Sequence, residues 1–157
     1  MSRRNIASDV PLEENPSLRS RTTSDTYRPS VMVVDDESSI ADTLAEILSR
    51  SGYAAVAAYD GDSALETALL NPPEMLITDV VLPGMSGIEL AITVRRIFPD
   101  CKIILFSGQA STADLLAAAN RDGHQFVLLS KPVHPGDLLA RIADGLKHRK
   151  PQPAATA

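Results

Sequence analysis

The chain has 157 residues, enough for one domain with tails. Its formal net charge of -5 argues against non-specific nucleic-acid binding by the whole chain. A single cysteine, Cys101, rules out an internal disulfide and any Cys-based zinc site, and fits a reducing compartment. No apolar run approaches the roughly 18–20 residues of a membrane span, and nothing resembling a secretory signal follows Met1-Ser2-Arg3-Arg4. The expected location is therefore cytoplasmic, with no membrane partner. Aromatic residues make up only 4% of the chain and Trp is absent, so any core must be built from Leu, Ile, Val and Ala.

Residues 1–30 hold many Ser, Thr, Arg, Pro and Glu without a sustained period and read as a disordered tail. Arg3, Arg4, Arg19, Arg21 and Arg28 alternate there with Asp9, Glu13, Glu14 and Asp25, which suits a solvated linker better than a nucleic-acid patch. The apolar run Val31–Val34 follows, then a helix predicted near 38–50 with Ile40, Leu44, Ile47 and Leu48 on one face and Gly52 as its C-terminal cap. Tyr53–Ala58 is strand-like but Ala-rich. Asp60-Gly61-Asp62 begins a short helix that Asn71-Pro72-Pro73 stops.

The run Met75–Thr78 reads as a third strand ending in Asp79, and Gly87–Ile97 as a helix with Ile88, Leu90, Ala91, Val94 and Ile97 apolar. A strand at 102–106 precedes an Ala-rich helix near 111–120. The last strand, 126–129, leads into a helix near 135–148, where Pro135 suits the first turn and Leu138, Leu139, Ile142 and Leu146 make the buried stripe. Residues 149–157 read as a second disordered tail. Five strand–helix pairs imply an α/β fold, a doubly wound parallel sheet covered on both faces.

Asp79 is the most informative residue. A carboxylate that ends a buried strand and opens into Val80-Val81-Leu82-Pro83-Gly84-Met85-Ser86-Gly87 is poorly explained by packing, because Asp is rarely buried unless paired or metal-bound. Other strands end in polar groups too: Asp35-Asp36-Glu37 after the first, Ser107-Gly108 after the fourth, Ser130-Lys131-Pro132 after the fifth. Ligands of an open parallel sheet bind beyond the carboxyl ends of its strands, where these groups would converge. Clustered carboxylates repel unless a cation joins them, and an all-oxygen set with room for water suits Mg²⁺. Asp79 could then attack a phosphoryl group, with Lys131 and Ser107 on the transferred oxygens. Asp35 and Asp36 could instead cap the first helix. His124 and His134 read as loop residues.

These residues, in this order, closely resemble the receiver domain of two-component response regulators. The resemblance covers residues 31 to 148 and rests on Asp35-Asp36, Asp79, Pro83-Gly84-Met85-Ser86-Gly87, Ser107-Gly108 and Lys131-Pro132. It implies a flavodoxin-like (βα)5 fold with strand order 2-1-3-4-5. It implies that Asp79 accepts a phosphoryl group from a sensor histidine kinase or a histidine phosphotransfer protein. It further implies that Asp35, Asp36, Asp79 and the Val81 carbonyl hold Mg²⁺, that Ser107 and Lys131 bind the phosphoryl oxygens, and that the Lys131–Pro132 bond is cis. Val81 and Gln109 fall where the family tunes phosphoryl lifetime.

One departure concerns output. The family usually carries Tyr or Phe three residues before the site lysine, and here that position is Leu128, with Phe126 on the same strand face. Either Phe126 takes the aromatic role or the Ser/aromatic switch is altered. The expected function is a stand-alone signalling module, not an enzyme, whose downstream partner, or a second copy, reads the face of the fourth helix, fifth strand and fifth helix. The alternatives are a phosphorelay shuttle or sink, a Mg-dependent aspartyl-phosphate phosphohydrolase, and a phosphorylation-independent scaffold. The phosphohydrolase is disfavoured because Asp35 and Asp36 are adjacent rather than two residues apart.

Overall fold

A computed structural model describes residues 27–108, 112–121, 123 and 126–147. The expectations for residues 1–26, for Gln109, for His124 and for the C-terminal tail lie outside those residues. The elements alternate from the start: β1 (Ser30–Val34), α1 (Ser38–Arg50), β2 (Ala54–Ala58), α2 (Gly61–Leu70), β3 (Met75–Asp79), α3 (Gly87–Ile97), β4 (Lys102–Ser107), α4 (Thr112–Arg121), β5 (Val127–Ser130) and α5 (Pro135–Lys147). All strand pairings are parallel, in the order β2-β1-β3-β4-β5. This is the flavodoxin-like doubly wound sheet that the resemblance implies.

Strand alternation divides the core into two layers. Met32 and Val34, with Leu76 and Leu105, face Ala64 and Ala68 of α2, Leu90 and Val94 of α3 and Ala119 of α4. Val31 and Val33, with Ile77 and Ile104, face Leu48 of α1 and Leu138 and Ile142 of α5. Every residue of β3 is buried, as a central strand covered on both faces requires. Fully burying one such Leu or Ile contributes about 1.5–3 kcal/mol.

Local chemistry explains several boundaries. Gly52 adopts φ +102°, the left-handed conformation that ends α1 and that a residue with a Cβ rarely takes. Asp60 caps α2, its carboxylate accepting from the Ser63 amide at 2.7 Å. Ser86 and Glu89 form a reciprocal capping box at the start of α3. His134 has a cap-like role: its Nδ1 accepts from the Gly136 amide at 3.1 Å as α5 begins. α1 differs from the capping alternative, since its N-cap is Glu37 and makes no side-chain cap bond.

The parallel register brings the chemistry together. Asp79 pairs with Phe106, Ser107 with Ser130, and Val34 with Thr78, so the polar residues that end these strands emerge along one rim. No described helix is long and apolar enough to cross a membrane.

Candidate functional site

Three carboxylates meet on that rim. Asp35, Asp36 and Asp79 each offer an oxygen, and these oxygens lie within 4.8 Å of one another. Asp35 and Asp79 are buried, at 1% and 9% exposure, while Asp36 faces solvent. Each buried carboxylate is anchored by a backbone donor two residues on. The Glu37 amide donates to Asp35 Oδ1 at 3.0 Å, and the Val81 amide donates to Asp79 Oδ1 at 3.0 Å. These bonds hold the carboxylates in place without helix capping.

Lys131 reaches across the cluster. Its Nζ lies 2.7 Å from Asp79 Oδ2 and 3.1 Å from Asp35 Oδ2. Burial works against the ammonium, but the hydrogen bonds to Asp79 and Asp35 outweigh it and hold the lysine above its ordinary pKa. The Lys131 amide donates to the Ser107 carbonyl at 2.8 Å, and the Lys131–Pro132 bond is cis. Ser107 is buried on the same rim. The structure thus brings Asp35, Asp36, Asp79 and Lys131 together, with Ser107 at the end of the neighbouring strand. Val81 is half-exposed beside Asp79, at the start of the loop.

The donor set suits a divalent cation. Three carboxylates and one lysine leave two negative charges uncompensated, all ligand atoms are oxygens, and solvent-facing Asp36 leaves room for coordinated water. No buried side-chain N or O atom among the described residues lacks a hydrogen-bond partner.

Two positioning residues carry no charge. A Cβ on Gly87 would lie 1.8 Å from the Asp79 carbonyl oxygen, so only glycine lets α3 start against the acceptor strand. The Gly87 amide donates to the Val80 carbonyl at 2.9 Å, closing the loop. Thr78 is buried, and its hydroxyl donates to the same Asp79 carbonyl at 2.9 Å. The sequence marks Gly87 as part of a turn motif but gives no sign that its partner is Asp79. Thr78 gives no signal beyond being a polar residue in an apolar strand.

Phe126 lies outside the site. It precedes β5, and Arg95 stacks its guanidinium 5.3 Å from the ring centroid. Leu128 pairs with Leu105, and both Phe126 and Leu128 pack on the core layer under α2, α3 and α4, as alternation predicts. Ser107 pairs with Ser130, four residues along β5 from Phe126, which places the ring roughly 13 Å away along the strand. The ring would have to leave Arg95 and travel that length to act beside Ser107.

The chain is similar to known proteins in sequence and in fold. Residues 31–143 match the family described as the response regulator receiver domain. Among similar solved structures is a CheY-like response regulator receiver domain protein from Methanospirillum hungatei JF-1, with 28% identity and a TM-score of 0.70, covering 77% of this chain and 95% of that one. A signal receiver domain of an HD domain-containing protein from Pseudomonas fluorescens Pf-5 has 29% identity and a TM-score of 0.72, covering 78% and 97%. A receiver domain protein from Clostridium thermocellum has 26% identity and a TM-score of 0.68, covering 76% and 94%. With the sheet order, the rim of carboxylates and the family match in agreement, the chain belongs to the response regulator receiver domain family.

Proposed function

We propose that this chain accepts a phosphoryl group on Asp79 from a phosphohistidine donor, a sensor histidine kinase or a histidine phosphotransfer protein, in a Mg²⁺-dependent reaction. The observation that carries this reading is the convergence of Asp35, Asp36 and Asp79 with Lys131 bridging Asp79 and Asp35.

A carboxylate oxygen of Asp79 attacks phosphorus, forming a P–O bond as the P–N bond to the donor imidazole breaks, and the departing nitrogen keeps the electron pair. The Val81 amide and Lys131 hold the attacking group in one orientation, so little reorganisation is needed on transfer. Lys131 then follows the transferred oxygens, with the Ser107 hydroxyl as a second donor from the neighbouring strand. Asp35, Asp36, Asp79 and the Val81 carbonyl would hold Mg²⁺, which supplies positive charge against the phosphoryl oxygens.

A second reading has specific support. Leu128 stands where the family's switch ring would be, and Phe126 is engaged by Arg95 at the far end of β5. A shuttle or sink in a phosphorelay needs the acceptor chemistry without that ring, and this arrangement favours it over a partner-binding or dimerising output through the α4–β5–α5 face.

Transfer of radiolabel from a phosphohistidine-bearing phosphotransfer domain tests the proposal. Label should move to the wild-type chain and stay on the donor with Asp79→Asn. Equal labelling of both chains would place the acceptor elsewhere.

A further inference from the structure

A groove of about 870 Å³ opens at the opposite end of the sheet from the carboxylates. Its floor is apolar: Val127 at the start of β5, 45% exposed, forms its open surface, with Phe126 and the almost fully buried Ile103 and Ile104 lining it beneath. Its rim is cationic. Arg95 in the last turn of α3, Lys102 at the first position of β4, and Arg141 on α5 face a single carboxylate, Asp144, itself 3.9 Å from Lys147. Among the described residues, none of the three cations is in an ion pair. The groove therefore fits an apolar segment carrying negative charge.

Such a segment occurs in this chain. Asp9-Val10-Pro11-Leu12-Glu13-Glu14 holds three acidic residues, two aliphatic ones and no base. It joins the fold at the correct end, because the strands are parallel and β1 begins at Ser30 on the same edge as Lys102 and Val127. β1 and β5 are three strand spacings apart, roughly 14 Å. Leu12 is eighteen positions before Ser30, a length that spans up to roughly 60 Å when extended. The tether thus reaches easily, and a short covalent link gives an effective concentration on the order of millimolar, so weak complementarity suffices.

We propose that the acidic-apolar segment Asp9–Glu14 docks in the cationic groove formed by Arg95, Lys102 and Arg141 over Ile103, Ile104 and Val127. Val10 and Leu12 meet the exposed Val127 above the buried Ile103 and Ile104, and Asp9, Glu13 and Glu14 meet the rim. The contact is independent of the phosphoryl chemistry, since Lys102 and Ser107 are five residues apart along β4.

The test is NMR of the full chain, following the methyl signals of Ile103, Ile104 and Val127. Substituting Glu13→Lys and Glu14→Lys together should shift these signals, and raising NaCl on the wild type should move them in the same direction. Adding Lys102→Glu and Arg141→Glu to the reversed chain should return them toward the wild-type positions. Groove signals that ignore the reversal overturn the proposal. So do shifts that vanish on dilution, which would assign the groove to the segment of a second copy.

Discussion

Asp36 is the residue that separates metal binding from architecture. It is exposed and contributes one oxygen to the cluster, whereas Asp35 and Asp79 are buried and tied to backbone amides. Asp36→Ala should abolish Mg²⁺-dependent phosphorylation while changing stability by no more than about 0.5 kcal/mol, read from urea unfolding. A full-rate Asp36→Ala protein would remove the metal argument. Gly87 shows the opposite balance. Gly87→Ala drives a Cβ into the Asp79 carbonyl and should cost about 1–3 kcal/mol or more while slowing phosphorylation, because the acceptor strand must move. Unchanged stability and rate in that variant would mean that the loop relaxes freely. Cys101 is inert by burial, which pushes its thiol up to about 11. At pH 8 only about one part in a thousand is thiolate, so the native chain should react with a thiol reagent far more slowly than the urea-unfolded chain.

At the scale of elements, the start of α3 fixes the loop that follows Asp79. Ser86→Ala removes half of the capping box and should cost about 0.5–2 kcal/mol in urea unfolding, and Ser86→Asp should recover most of it. Most elements were legible in the sequence for definite reasons. β1, β3 and β4 are continuous apolar runs because both faces are buried, and α1 and α3 carry apolar stripes between clear start and stop residues. Even Ala-rich β2 forms where its pattern suggests, paired along its length with β1. The boundary of β5 differs by one residue. Phe126, expected within the strand, precedes it and stacks with Arg95 from the end of α3, a contact between elements that no local pattern encodes. The close approach of Gly87 to Asp79 was hidden for the same reason: a glycine in a turn motif signals backbone freedom but does not name the atom that needs the space.

At the scale of the whole molecule, the parallel sheet turns a sequence order into a site. Asp35, Asp79, Ser107 and Lys131 lie far apart in the chain and meet because four strands end on one rim. That convergence was legible, since polar residues at the ends of apolar runs have few structural uses and parallel sheets bind ligands at that edge. The geometry of the Lys131 bridge is set by the packing of separate strands, which no local pattern encodes. The opposite edge, with its cationic rim and apolar floor, was not legible, because Arg95, Lys102, Phe126 and Arg141 come from four separate segments with no shared motif. The two ends thus differ in charge, one lined by carboxylates and the other by Arg95, Lys102 and Arg141.

The central claim is that Asp79 is a Mg²⁺-dependent phosphoryl acceptor. Intact mass after incubation with acetyl phosphate tests it most directly, using the wild type and Asp79→Asn, each with Mg²⁺ or with a chelator. A single phosphoryl adduct is expected on the wild type with Mg²⁺ alone, and none on the variant. An adduct that persists in Asp79→Asn, or no adduct on the wild type under any condition, would contradict the account.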